Sequence, residues 1–124
     1  MTETQQFPSS ARMHRKREFD EVYRAGMRLN AFPLRVRALK KEAGESRLGL
    51  SIGRKAGNAV VRNRWKRAIR EAFRLHRHEL AEPYDLVIST SWQACQDDVG
   101  RVDEAFAQIV RTLSSRATAG EQER

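Results

Sequence analysis

The chain has 124 residues and a mass of 14.3 kDa, enough for one domain with a modest core and too little for two. Its 24 Lys and Arg against 16 Asp and Glu leave a formal net charge of +8, and with only 7% aromatic residues a large apolar ligand chamber is not expected. No apolar run approaches the ~18 residues of a membrane helix, the first ten residues lack the apolar stretch of a secretory signal, and the single cysteine, Cys95, rules out an internal disulfide framework, so a cytoplasmic setting without membrane contact is expected.

Polar segments 1–11 and 117–124 read as disordered tails around a single α/β domain over 12–116. Residues 18–25 read as a short helix, with Phe19, Val22 and Tyr23 at i, i+3, i+4 spacing and Gly26 as its stop. Leu34, Val36 and Ala38 alternate with Arg35 and Arg37 in the pattern of a half-buried strand. Segment 41–46, with its Gly44, reads as a hairpin loop, and 47–52 as the returning strand. Residues 53–58 form a connecting loop that ends in Asn58, a good helix N-cap. From 59 to about 80 no Gly or Pro interrupts a strong helical period, and Glu82-Pro83 ends it. Residues 84–89 form a strand apolar enough to be central in a sheet. Asp97 and Asp98 open a last helix whose apolar face is Val102, Phe106, Ile109, Val110 and Leu113. This order makes one small α/β layer sandwich.

The charge is unevenly placed. Residues 1–78 carry 20 Lys and Arg against 7 Asp and Glu, a balance of +13, whereas residues 79–124 carry 4 against 9, a balance of −5. Such asymmetry suits the electrostatic footprint of a protein that meets a polyanion, and a solvated basic surface is the alternative reading. At ~100° per residue the long helix divides into two arcs. Val61, Trp65, Ala68, Ile69, Ala72 and Phe73 share the arc that packs on the sheet, and Arg62, Lys66, Arg67, Arg70, Arg74 and Arg77 fill the arc beside it. Like charges at i, i+4 cost ~0.2–0.5 kcal/mol per pair in an isolated helix, so their accumulation points to a gain made elsewhere. Seven of the nine basic residues from Arg54 to Arg77 are arginines, whose planar fork holds two phosphate oxygens at once. Asn63 adds a donor and acceptors suited to a base edge, a sugar hydroxyl or a hydrated metal.

The stretch Arg47-Leu48-Gly49-Leu50-Ser51-Ile52-Gly53-Arg54-Lys55, then Gly57-Asn58-Ala59-Val60-Val61-Arg62-Asn63-Arg64, Lys66-Arg67 and Arg70-Glu71, resembles the characteristic segment of the protein subunit of bacterial ribonuclease P. Upstream, Phe19, Val22, Tyr23 and Gly26 match that family's first helix and its stop, and the resemblance covers about residues 12–115. It implies a small mixed four-stranded sheet with three helices, a left-handed β-α-β crossover around the Arg-rich helix, and a short strand at Arg28-Leu29-Asn30. In that family the catalyst is an RNA, which removes the 5′ leader of precursor tRNA with Mg²⁺ held mainly by RNA and substrate. The resemblance implies that Arg62, Asn63, Arg64, Lys66, Arg67 and Arg70 face the catalytic RNA. It also implies that Phe19, Tyr23, Arg37, Arg54 and Lys55 meet the leader. Arg37 replaces an aromatic found in some relatives, so an ionic contact is expected there. No catalytic residue, no metal site and no obligate protein partner are expected in the chain.

The residues alone leave other readings open. Phe19 and Tyr23 at helical spacing read as core. The pairs Asp20/Glu21, Asp97/Asp98 and Asp103/Glu104 are scattered and adjacent in sequence, which suits helix starts better than a converging Mg²⁺ site. His14, His76, His78 and Cys95 lack zinc spacing and read as surface or RNA-contact residues, and Gly49, Gly53 and Gly57 form no phosphate loop. A structural ribosomal protein or another RNA-binding protein would share the basic helix, whereas a helix-turn-helix DNA regulator would need a partner helix that the pattern does not supply.

Overall fold

Alternating apolar residues along four segments build one sheet, and its two faces carry different helices. The computed structural model describes the backbone of residues 11–13 and 15–122 and the side chains as far as Arg116; the segment 1–10 of the expected N-terminal tail, His14 and residues 123–124 lie outside the described residues. In chain order the elements are α1 (Lys16–Ala25), β1 (Met27–Ala31), β2 (Leu34–Lys40), β3 (Arg47–Leu50), α2 (Ala59–His76), β4 (Tyr84–Thr90) and α3 (Val102–Gln122). The strand order is β1-β2-β4-β3; β1 and β4 run antiparallel to β2, and β3 runs parallel to β4.

That order corrects the expected hairpin at 41–46. Residue 47 does begin a strand, but β4 lies between it and β2. The physical cause is in β4, where Tyr84, Asp85, Leu86, Val87 and Ile88 are all buried, so the strand needs a neighbour on each edge and cover on each face. The 41–46 segment therefore spans the width of a strand, and its first N–H, from Lys41, donates to Pro83 O at 3.0 Å beside β4.

One face of the sheet presents Leu29, Leu34, Val36, Leu48, Leu86 and Ile88 to α2 and α3, which contribute Trp65, Ile69, Phe73, Phe106, Ile109 and Leu113 to the same core. Trp65, Ile69 and Phe73 are essentially fully buried, each worth roughly 1.5–3 kcal/mol relative to an exposed position. The apolar arc expected for the long helix is thus the packed one. On the other face α1 sits over one end, burying Val22 with Met13 and Val87. Gly26 ends α1 with φ −80°, an extended conformation and not a left-handed cap. Its role is space, because a Cβ there would lie 2.6 Å from Val22 O and 3.1 Å from Ala38 O.

Four boundaries differ from expectation. Helix α2 stops at His76 and passes into a 3-10 turn at Arg77–Glu79. His76 is held there by Glu79 Oε2 at 3.3 Å and by Asp103 Oδ1 of α3 at 3.0 Å, and its ring stacks near Phe106. It is an interhelix link, not a loose surface residue. Asp97 and Asp98 lie in a 3-10 segment, Gln96–Arg101, and α3 follows from Val102; Asp98 accepts the Cys95 N–H at 2.9 Å as a cap. Helix α3 continues to Gln122, where a tail from residue 117 was expected. At the other end Ala11 is fully buried and Met13 N–H donates to Leu48 O at 2.9 Å, so the packed domain takes in residue 11.

Candidate nucleic-acid interface

The chain entering α2 is shaped before the helix begins. A 3-10 turn, Arg54–Ala56, follows β3, and Asn58 Oδ1 then accepts the Val61 N–H at 3.0 Å, satisfying one of the orphan donors of the first turn. This fixes where the basic arc points. Asn63, Arg64 and Arg67 are exposed, while Arg62, Lys66 and Arg70 are half-buried along the edges of the helix. The end of the arc is used internally. Arg74 is hydrogen-bonded to Glu71, which holds that carboxyl below its usual range, and Arg77 lies 4.0 Å from Glu45. The predicted arc is therefore divided: Arg67, with Asn63 and Arg64 beside it, is open to solvent, Arg62, Lys66 and Arg70 are half-buried, and Arg74 and Arg77 are engaged within the domain.

Lys66 and Arg70 face back toward the other side of the molecule. With Arg12, Met13, Phe19, Leu48 and Leu50 they line one depression. Burial, reinforced by the nearby positive charge of Arg12, lowers the Arg70 pKa from the ordinary arginine value, as befits cations gathered where an anion would be welcome. Phe19 enters this depression because residue 49 is glycine: a Cβ there would stand 2.7 Å from its ring.

A second depression lies on the sheet face that α1 leaves open. It is lined by Tyr23, Arg28, Asn30, Arg35, Arg37, Ser51 and neighbours from β4. In the β1–β2 register Arg28 is directly opposite Arg37, and Asn30 opposite Arg35. Like charges facing one another across strands destabilise a sheet, so this placement is a cost that an anionic ligand would relieve. Arg37 donates to Tyr23 O at 2.8 Å and its guanidinium lies 5.3 Å from the Tyr23 ring centroid, so the two side chains form one unit. Tyr23 is 40% exposed despite its helical spacing, so the unit it forms with Arg37 is presented to solvent.

The residues expected at the leader are therefore brought together only in part. Tyr23 and Arg37 share the open sheet face, Phe19 opens into the neighbouring depression, and Arg54 and Lys55 stand exposed on the turn ahead of α2 without lining either. Arg28, Asn30, Arg35 and Ser51 were missed. For Arg28, Asn30 and Arg35 the signal was the alternation in β1 and β2, which sets one polar side chain beside the next on the face away from the core, whereas Ser51, just past β3, carried none. Arg12 carried no signal within its own segment. Among the described residues no group of three or more His, Cys, Asp or Glu side chains is placed to hold a metal ion, and no helix is long and apolar enough to cross a membrane.

A four-stranded mixed sheet with a polycationic helix on one side and an open arginine-lined face on the other defines a small basic α/β protein directed at polyanions. The ribonuclease P family model matches residues 7–114, and the chain belongs to that family. The ribonuclease P protein component of Exiguobacterium sibiricum is 46% identical over 101 residues, covering 81% of this chain and 87% of that one. The corresponding protein of Desulfotalea psychrophila is 40% identical over 87 residues, covering 70% and 72%. Among solved structures, the RNase P protein of Thermotoga maritima superposes with a TM-score of 0.69 at 27% identity, covering 84% of this chain and 96% of that one. The Staphylococcus aureus RNase P protein gives 0.69 at 26% identity, covering 83% and 97%.

Proposed function

We propose that this subunit holds two RNAs at once, the catalytic RNA along the basic arc of α2 and the 5′ leader of precursor tRNA across the open sheet face. Arg62, Asn63, Arg64, Lys66, Arg67 and Arg70 contact the catalytic RNA, and Tyr23 and Arg37, with Phe19, Arg54 and Lys55 at the margins, meet the leader. The observation that carries this reading is the presence of two separate cationic surfaces, one on a helix and one on the reverse of the sheet that the helix packs against. Two polyanions repel, and a wedge that neutralises phosphates on both sides reduces that repulsion and releases counterions. Catalysis belongs to the RNA. Mg²⁺ is held mainly by RNA and substrate, whose phosphate oxygens are the hard ligands it prefers, and the protein favours that ion's binding by bringing the two backbones together. The complex works in the cytoplasm, where precursor tRNA is made.

The test is reconstitution with the cognate RNA subunit and a precursor tRNA that carries a 5′ leader. Added protein is expected to stimulate cleavage at the mature 5′ end when Mg²⁺ is low. Binding to RNA without any such stimulation would assign the chain to the purely structural class instead.

A further inference from the structure

Four large hydrophobic side chains are exposed among the described residues, and three of them are aromatic: Tyr23, Phe32 and Trp92. The unit formed with Arg37 accounts for Tyr23. Phe32 and Trp92, 46% and 77% exposed, have no partner in the core and no part in either surface described above. They sit on different loops, the β1–β2 turn and the segment after β4, yet they border the same depression of about 400 Å³. The loops are tied together, since Ser91 N–H donates to Pro33 O at 2.9 Å and the two aromatics are the chain neighbours of those bonded residues. Ser91 also accepts from Ala94 N–H through its carbonyl and from Gln93 N–H through its hydroxyl, which pins the second loop. The backbones that carry both rings are thus tied together before any ligand arrives.

Two residues join this depression to the open sheet face. Asn30 and Arg35 line both, so the two hollows share a wall. Arg101 adds a guanidinium 5.9 Å from the Phe32 ring centroid. The acid beside it, Asp98, lies 3.6 Å from Arg101 Nε and also caps Cys95. Exposed rings on bonded loops, set among guanidiniums and continuous with a cationic groove, are the components of a single-strand stacking platform.

We propose that Phe32 and Trp92 form a second platform for unpaired bases, taking the part of the 5′ leader that lies beyond the stretch held at Tyr23 and Arg37. Arg35, on the shared wall, holds the phosphate where the strand passes from one hollow to the next. Stacking on ring faces is tolerant of sequence, so the platform reads leader length and not leader identity. This proposal rests on the sheet face being the leader site, and the experiment separates the two.

The holoenzyme, assembled with its cognate RNA subunit, is titrated with two precursor tRNAs. One has a leader that ends at the Tyr23–Arg37 hollow, and the other is extended by several nucleotides. The extension is expected to tighten binding by wild type about tenfold, the effect of roughly one stacked base. The Phe32→Ala/Trp92→Ala double variant is expected to lose that gain while binding the short leader and the RNA subunit as wild type does. Trp92→Phe should keep most of the gain. The extended leader, but not the short one, should quench Trp92 fluorescence, because Trp65 is buried and leaves Trp92 as the accessible indole. Absence of any gain from the extension, or an equal loss on both leaders, would overturn the platform. So would self-association of the holoenzyme that disappears in the double variant, which would assign the rings to a second copy of the protein. Failure of the leader reading itself has another signature, namely Tyr23→Ala binding the short leader as tightly as wild type.

Discussion

Arg47 holds Asp85 by two hydrogen bonds, Nε to Oδ1 at 3.0 Å and Nη2 to Oδ2 at 2.8 Å, between residues directly paired in the β3–β4 ladder. The third arm of the same guanidinium, Nη1, reaches Glu18 Oε2 of α1 at 2.7 Å. Glu18 in turn accepts the Arg15 N–H at 3.2 Å, closing the first turn of that helix. One side chain therefore ties the edge strand β3 to the central strand β4 and both to the helix that carries Phe19 and Tyr23. The hydrogen bond to Asp85 is the main reason the Arg47 pKa rises above the ordinary arginine value.

Replacing this arginine should cost more than a surface ion pair. Asp85 is only 6% exposed, and with Arg47→Ala its remaining cation is Lys41, at 3.6 Å. Leaving a buried carboxylate underpaired predicts a loss of about 2–4 kcal/mol in urea denaturation of the isolated protein. Arg47→Lys should recover less than half, since an ammonium cannot bond both carboxylate oxygens and Glu18 in the same fork geometry.

Gly49 supports the same helix sterically. Gly49→Ala sets a methyl 2.7 and 2.9 Å from two Phe19 ring atoms, so the ring and with it α1 must shift. Overpacking of this kind predicts a loss of about 1–3 kcal/mol. Combining it with Phe19→Leu should restore part of that loss, and a double-mutant cycle on thermal midpoints measures the coupling.

Asn58 makes a smaller and cleaner contribution. Its Oδ1 caps the first turn of α2, so Asn58→Ala predicts a loss of about 1 kcal/mol, and Asn58→Asp should preserve stability by keeping the acceptor. Denaturation of the three proteins in parallel decides it.

Arg64 and Arg67 are exposed on α2, so their reversal should change RNA binding without changing the fold. For Arg64→Glu/Arg67→Glu the slope of log affinity for the RNA subunit against log salt should fall by about one unit for each phosphate that is no longer neutralised. Stability should stay within about 0.5 kcal/mol of wild type. An unchanged slope would remove both residues from the interface.

Much of this was legible in the chain. Trp65, Ile69, Ala72 and Phe73 announce the packed side of α2 by spacing alone, and Asn58 announces its start. The place of β4 between β2 and β3 was not legible, because local pattern reports that a strand is buried on both sides but not which neighbours bury it. For the same reason the open sheet face was only half visible. Arg35 and Arg37 alternate plainly, but that Arg28 sits opposite Arg37 depends on a register set by pairing across strands. Tyr23 shows the limit of periodicity, since a ring at the margin of a helix's apolar arc is core or surface according to how far the helix covers the sheet.

The claim that two faces serve two RNAs is tested most directly by the preference of the holoenzyme for precursor over mature tRNA. The wild-type complex should bind the precursor more tightly. Tyr23→Ala/Arg37→Ala should reduce that preference by about tenfold, the effect of removing one stacked base or one charge-assisted hydrogen bond, while the RNA subunit binds as before. A variant that retains the full preference would contradict the account, because the leader would then be recognised somewhere other than the open sheet face.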